Sequence, residues 1–110
     1  MTSILITDAE NRSALAATRS LGRKGCRVVV AGKEVQTLAS SSRYCSQGIA
    51  VPDPDTAGQD YAQAVLDIVS REEIDVIFPM TEVSIHQLNS VRDRQPPDCI
   101  LACSPPDKMA

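Results

Sequence analysis

Aromatic residues are nearly absent: no tryptophan, one phenylalanine (Phe78) and two tyrosines (Tyr44, Tyr61) in 110 residues. The core must then be filled by Val, Ile, Leu and Ala, which is what a buried parallel sheet prefers. Positive charge is also short. Eleven Lys and Arg face fourteen Asp and Glu, for a net charge of −3 and a pI near 5.0. A nucleic-acid footprint needs a basic face, usually with aromatics to stack bases, so no nucleic-acid partner is expected. The four cysteines (Cys26, Cys45, Cys99, Cys103) form no C-x-x-C pair, and the one histidine, His86, is remote from Cys26 and Cys45 in sequence. Zinc-type spacing is therefore missing. No apolar run approaches the ~20 residues that cross a bilayer. No signal peptide precedes Ile4-Leu5-Ile6. A cytoplasmic protein with reduced thiols is the expectation.

Hydrophobic residues make up 43% and charged residues 23%, ordinary values for a globular domain. A chain of this length builds one core and removes roughly two-thirds of its unfolded surface from water.

Short apolar runs alternate with amphipathic stretches. Strands are predicted over 3–7, 26–31, 47–51, 75–79 and 99–103. A helix over 13–24 turns Ala14, Leu15, Thr18, Leu21 and Gly22 inward, with Asn11 or Ser13 as cap and Gly22 and Gly25 at its end. A second over 58–72 has an apolar stripe of Tyr61, Val65, Ile68 and Val69. A third runs to Arg92, capped by Thr81 or Ser84, with Ile85, Leu88 and Val91 inward. Between 33 and 46 the pattern is irregular, with a short helix expected around 35–39 and a polar loop from Ser40 to Tyr44. Strands separated by such helices pair in parallel through right-handed crossovers. The predicted fold is α/β: a Rossmann-like, doubly wound, five-stranded parallel sheet of order 3-2-1-4-5, with helices on both faces.

Ligands of such sheets sit at strand carboxyl ends, at the switch in strand order. Two turns meet there. The first, Thr7-Asp8-Ala9-Glu10-Asn11-Arg12-Ser13, has no glycine. That speaks against a dinucleotide fingerprint, and no P-loop motif occurs elsewhere. Its Asn11, Arg12 and Ser13 suit a carboxylate or phosphate at a helix N-terminus. Equally, they suit a capped helix start with a solvated arginine. The second turn closes Ile74-Asp75-Val76-Ile77-Phe78-Pro79-Met80-Thr81-Glu82. Thr81 and Glu82 read either as ligand contacts or as a cap and a first-turn acid favoured by the dipole. His86 reads as an ordinary helix residue. Ser40-Ser41-Ser42-Arg43-Tyr44 reads as a pin for the irregular crossover, or else as a phosphate loop. The cluster Arg19, Arg23, Lys24, Arg27 reads as a helix C-terminus. No nucleophile, base and orienter stand together, so no catalytic residue and no metal ligand is assigned.

Four stretches carry a family resemblance. They are Ile4-Leu5-Ile6-Thr7-Asp8 with Arg12-Ser13-Ala14-Leu15; Leu21-Gly22-Arg23-Lys24-Gly25-Cys26-Arg27-Val28; Ser42-Arg43-Tyr44 leading to Val51-Pro52; and the segment from Ile74 to Glu82. Together they resemble the N-terminal, pre-ATP-grasp domain of ATP-grasp ligases, the group that includes biotin carboxylase and carbamoyl-phosphate synthase large-subunit-like proteins. The resemblance implies ATP-dependent ligation, in which a carboxylate is activated as an acyl phosphate and captured by an amine or similar nucleophile. It implies ATP and Mg²⁺ in the full-length protein, held mainly by an ATP-grasp domain beyond this chain, and none bound tightly here. It implies a domain over 1–104, a linker beginning at 105–110, and no activity for this fragment alone. The implied partners are that ATP-grasp domain and a small carboxylate or amine substrate. By position, Asp8, Asn11, Arg12, Ser13, Thr81 and Glu82 would face the acceptor substrate. No predicted helix covers the fifth strand, so dimerisation through its bare face is also expected.

Two alternatives stand beside this. Ile4 to Glu10, Asp53, Thr81 and Lys108 somewhat resemble a response-regulator receiver, with Asp53 as phosphoacceptor, although Ala9 interrupts its usual acid pair. A free-standing nucleotide-binding Rossmann-like module is the other.

Overall fold

Ile4-Leu5-Ile6 and Val28-Val29-Val30 are at most 3% exposed. Strands buried on both faces belong at the centre of a covered sheet. In the computed structural model, which describes residues 2–95 and 99–102, they do. Strands β1 (Ser3–Ile6), β2 (Arg27–Gly32), β3 (Gln47–Ala50), β4 (Val76–Phe78) and β5 (Ile100–Leu101) form one parallel sheet in the order β3-β2-β1-β4-β5. Helices α1 (Arg12–Arg23), α2 (Gly58–Glu72) and α3 (Glu82–Asn89) and a 3₁₀ turn (Arg92–Arg94) accompany it among the described residues.

The alternation of side chains divides the core. On one face Ile4, Ile6, Val28 and Val30 pack with Ala14, Ala17 and Leu21 of α1. On the other, Leu5, Val29 and Ile77 pack with Tyr61, Val65, Ile68 and Val69 of α2 and Leu88 of α3. Ala62, Leu66 and Val91 form a satellite cluster between α2 and the 3₁₀ turn.

Three expectations need correction. No helix forms at 35–39. Thr37 and Ser40 instead bond each other's backbone: Ser40 Oγ accepts from Thr37 N at 2.7 Å, and Thr37 Oγ1 from Ser40 N at 3.2 Å. Such side-chain bonds offer the backbone an alternative to a helix. Gly22 does not end α1 but lies inside it. A Cβ there would stand 2.5 Å from Tyr44 Cβ, so the glycine admits the tyrosine of the irregular crossover. Gly25, at φ +88°, follows the cap of α1 as expected. The third helix stops at Asn89 rather than Arg92. Cys103, Pro105 and Lys108, with the 105–110 linker, lie outside the described residues.

The strand order also separates this domain from a receiver. Receivers follow the order 2-1-3-4-5, which sets β3 beside β1. Here β3 is the sheet edge, so Asp53 beyond it is not at the switch point.

One ion pair ties α2 to β2. Arg27 Nη2 reaches Glu72 Oε1 at 2.5 Å, and Nη1 donates to the Glu72 carbonyl at 3.0 Å. The Arg27 guanidinium, with Arg71 adding to it, holds the Glu72 carboxyl below its ordinary value. A lowered folded-state pKa contributes stability above the unfolded value and loses it as pH falls through the folded one. The stability difference between wild type and Glu72→Gln should therefore be constant near neutrality and shrink below about pH 4.3. Urea unfolding across the acid range checks this; a difference independent of pH would refute it.

Candidate functional site

At the carboxyl end of β1 the chain turns with Asp8 in the left-handed region, at φ 55°. Aspartate is among the few residues besides glycine that tolerate it. This is how a turn without glycine is built. Asp8 is only 8% exposed. Its Oδ2 accepts from Thr7 Oγ1 at 2.6 Å and Met80 N at 3.3 Å; its Oδ1 accepts from Thr81 Oγ1 at 3.1 Å and Ser84 Oγ at 3.0 Å. Behind Ser84, the Tyr61 hydroxyl donates to Ser84 Oγ at 2.8 Å. Burial pushes the Tyr61 phenol well above its ordinary value, so it remains a donor at neutral pH. Thr7 Oγ1 also accepts from Met80 N at 3.1 Å. The seam between β1 and β4 is thus closed by a buried carboxylate with four donors and, among the described residues, no cation.

Of the six residues the sequence singles out, Asp8 and Thr81 meet in this network. Thr81 also caps α3 by accepting from Ser84 N at 3.2 Å, so both are occupied internally. The other four remain exposed or half-exposed. Asn11 is the N-cap of α1 by position but its side chain makes no cap bond, and α1 has no acid in its first turn. The side chains of Arg12, Ser13 and Glu82 make no hydrogen bond or ion pair among the described residues. The first turn of α1 therefore presents its N–H groups with no acid in that turn and the Arg12 guanidinium beside them, while α3 begins with the acid Glu82.

A narrow crevice of about 10 Å³, room for about one water, opens toward β2 and β3. Its wall includes Asp8, Glu10, Lys33, Pro52 and Tyr61. Lys33 Nζ stands 3.4 Å from Asp53 Oδ2, and Lys33 N donates to Glu10 Oε2 at 3.2 Å. Asp53 is held below its ordinary value, first by the backbone N–H of Asp55 and then by Lys33. Glu10, Lys33, Tyr61 and Ser84 were not picked out for this site from sequence. Tyr61 had a signal, since a buried tyrosine hydroxyl needs a partner. Among the described residues no three of His, Cys, Asp and Glu are grouped to hold a metal ion, and no helix is long and apolar enough to cross a membrane.

Comparison with known proteins places this geometry. A family model described as "PylC-like, N-terminal domain" matches residues 4–99. No curated protein matches the chain in sequence. Among solved structures, glycinamide-RNase-transformylase T from Mycobacterium tuberculosis is similar, at 19% identity with a TM-score of 0.59. The likeness covers 90% of this chain and 28% of that one, and at this identity it shows the fold.

Proposed function

The chain belongs to the PylC-like N-terminal domain family, and from that premise we propose that it is the pre-ATP-grasp domain of a cytoplasmic, ATP-dependent ligase joining a carboxylate to an amine or thiol. Biotin carboxylase and carbamoyl-phosphate synthase-like enzymes serve as chemical models for this reading. The match over residues 4–99 carries the reading. The free groups at the strand carboxyl ends support it: Asn11, Arg12 and Ser13 suit an acid substrate, and Glu82 suits an amine. Asp8 and Thr81 act one step back, by holding the two turns together. ATP and Mg²⁺ belong to the ATP-grasp domain in this reading; the first turn of this domain has no glycine to bring backbone against a phosphate.

The purified 110-residue chain should not hydrolyse Mg-ATP, whereas the full-length protein should, in a manner dependent on both substrates. A coupled phosphate-release assay on the two proteins decides. Turnover by the short chain would overturn the proposal.

The α1 face of the sheet is incompletely covered at its β4–β5 edge. Ile100 is 62% exposed beside half-buried Val76, its partner in register. This strip suits the packing of the ATP-grasp domain, and in the isolated chain a second copy. Light scattering should find the isolated chain associating, with Ile100→Lys shifting it toward monomer; a wild-type monomer at high concentration would count against this.

A further inference from the structure

The opposite end of the sheet carries a cluster that the ligase reading does not use. Helix α1 runs back from the strand carboxyl ends, so Arg19 and Arg23 lie near the strand amino ends. They project one turn apart on the same helix face. The loop before β3 brings Arg43 and Tyr44 against them. The Arg43 guanidinium lies 5.1 Å from the Tyr44 ring centroid and the Arg23 guanidinium 5.7 Å. Arg43 Nη2 donates to the Tyr44 hydroxyl at 3.1 Å. Arg19, Arg23, Ser41, Ser42, Arg43 and Tyr44 line one shallow depression.

The helix dipole accounts for Arg23, the basic residue of the last turn of α1. It does not account for Arg43, which arrives from a different segment. Nor does it explain why none of the three arginines has a carboxylate partner among the described residues, although acids outnumber bases in the chain. By contrast Arg27, in the same sequence cluster, is paired with Glu72. Like charges gathered without a counter-charge repel one another. The field they create is felt by Tyr44, whose phenol is held below its ordinary value, chiefly by Arg43. Tyr44 packs directly on Gly22 of α1, where even a Cβ would not fit, and so seats the loop against the helix that carries Arg19 and Arg23.

We infer that the Arg19–Arg23–Arg43 depression binds a phosphate group, with Tyr44 and the Ser42 hydroxyl completing its walls. Guanidinium forks match phosphate oxygens in pairs. A dianion balances three guanidiniums better than a single carboxylate does. The depression is open, so the phosphate would sit on the arginines with the rest of its carrier outside.

The test uses the full-length protein at low ionic strength, titrated by calorimetry with inorganic phosphate and inorganic pyrophosphate. Acetate and chloride are controls, and a phosphate monoester tests whether the carrier adds affinity. Phosphate should bind, pyrophosphate more tightly, and Arg19→Gln and Arg43→Gln should each weaken binding about tenfold. Both arginines are exposed, so folding is not at stake. In parallel, the Tyr44 ring resonances, assigned with Tyr44→Phe, should move on binding, and the phenol should titrate at higher pH once an anion neutralises the field. Three results would overturn the site: no binding of pyrophosphate, binding indifferent to both variants, or acetate and chloride competing at equal strength. Failure of ligase activity would leave this titration unaffected, so the two readings fail separately.

Discussion

Asp8→Ala is expected to cost about 3–5 kcal/mol of unfolding free energy, enough to leave the domain marginal or unfolded. The substitution removes the only acceptor shared by four donors. Thr7 and Thr81 keep other bonds through the same oxygen, as acceptors from Met80 N and Ser84 N. Their hydroxyl protons, and that of Ser84, would nonetheless be left pointing into a buried space. Each orphaned donor costs about 1–3 kcal/mol, reduced where a hydroxyl can rotate to a new acceptor. A further ~1 kcal/mol comes from alanine at φ 55°, where its Cβ crowds the following carbonyl. Asp8→Gly separates these contributions: it loses the same hydrogen bonds but not the backbone fit, and should be about 1 kcal/mol less damaged than alanine. Asp8→Asn keeps the size and the turn, but sets an amide donor against donors, and should fall between wild type and alanine. Urea denaturation of the four proteins measures the series. A loss under about 0.5 kcal/mol for alanine, the range of ordinary surface changes, would mean that the network is not what holds β1 to β4.

The strands and their order were legible because each strand is short, apolar and bounded by Pro, Gly or acid, and because intervening helices permit only parallel crossovers. Helix α2 was readable from a clean stripe, and Gly58–Glu72 matches the predicted 58–72. The stretch 33–46 was not legible, since what organises it is not local. Ala39 N donates to Ala9 O at 2.9 Å, Tyr44 rests on Gly22, and Thr37 and Ser40 divert the backbone from a helix. Composition pointed to serine loops and could not show the arginines gathering around them. At the strand ends the sequence placed Asp8 and Thr81 in the same neighbourhood from topology alone. It did not reveal that they bond each other. A residue saturated by internal hydrogen bonds looks, in sequence, like one waiting for a ligand. The pairing spans 73 positions, beyond any periodicity. Tyr61 was read as core, which it is; Ser84 was offered as an alternative cap, but Thr81 is the cap and Ser84 lies buried inside α3, and the two hydroxyls connect α2 and α3 to Asp8.

That division of labour makes the outcome at Arg12 the sharper functional test. If the proposed ligase reading holds, Arg12→Ala in the full-length protein should raise KM for the acid substrate about 10- to 100-fold, the loss expected of a charge-assisted hydrogen bond, with kcat changed less. Binding lost equally from ground and transition states has that signature. Arg12→Lys should recover part of the loss, since the charge remains but the planar fork does not. Stability should stay within about 0.5 kcal/mol, because the Arg12 side chain is exposed and makes no bond among the described residues. Glu82→Gln is the counterpart: its exposed carboxylate at the start of α3 should matter for the amine, so KM for that substrate should rise while KM for the acid holds. Steady-state kinetics with each substrate varied in turn separates the two. If Arg12→Ala leaves both KM values unchanged, the N-terminus of α1 is a solvated helix start, and substrate must be read from outside this domain. If instead kcat collapses with KM unmoved, Arg12 acts after binding, on the charge that develops as the new bond forms.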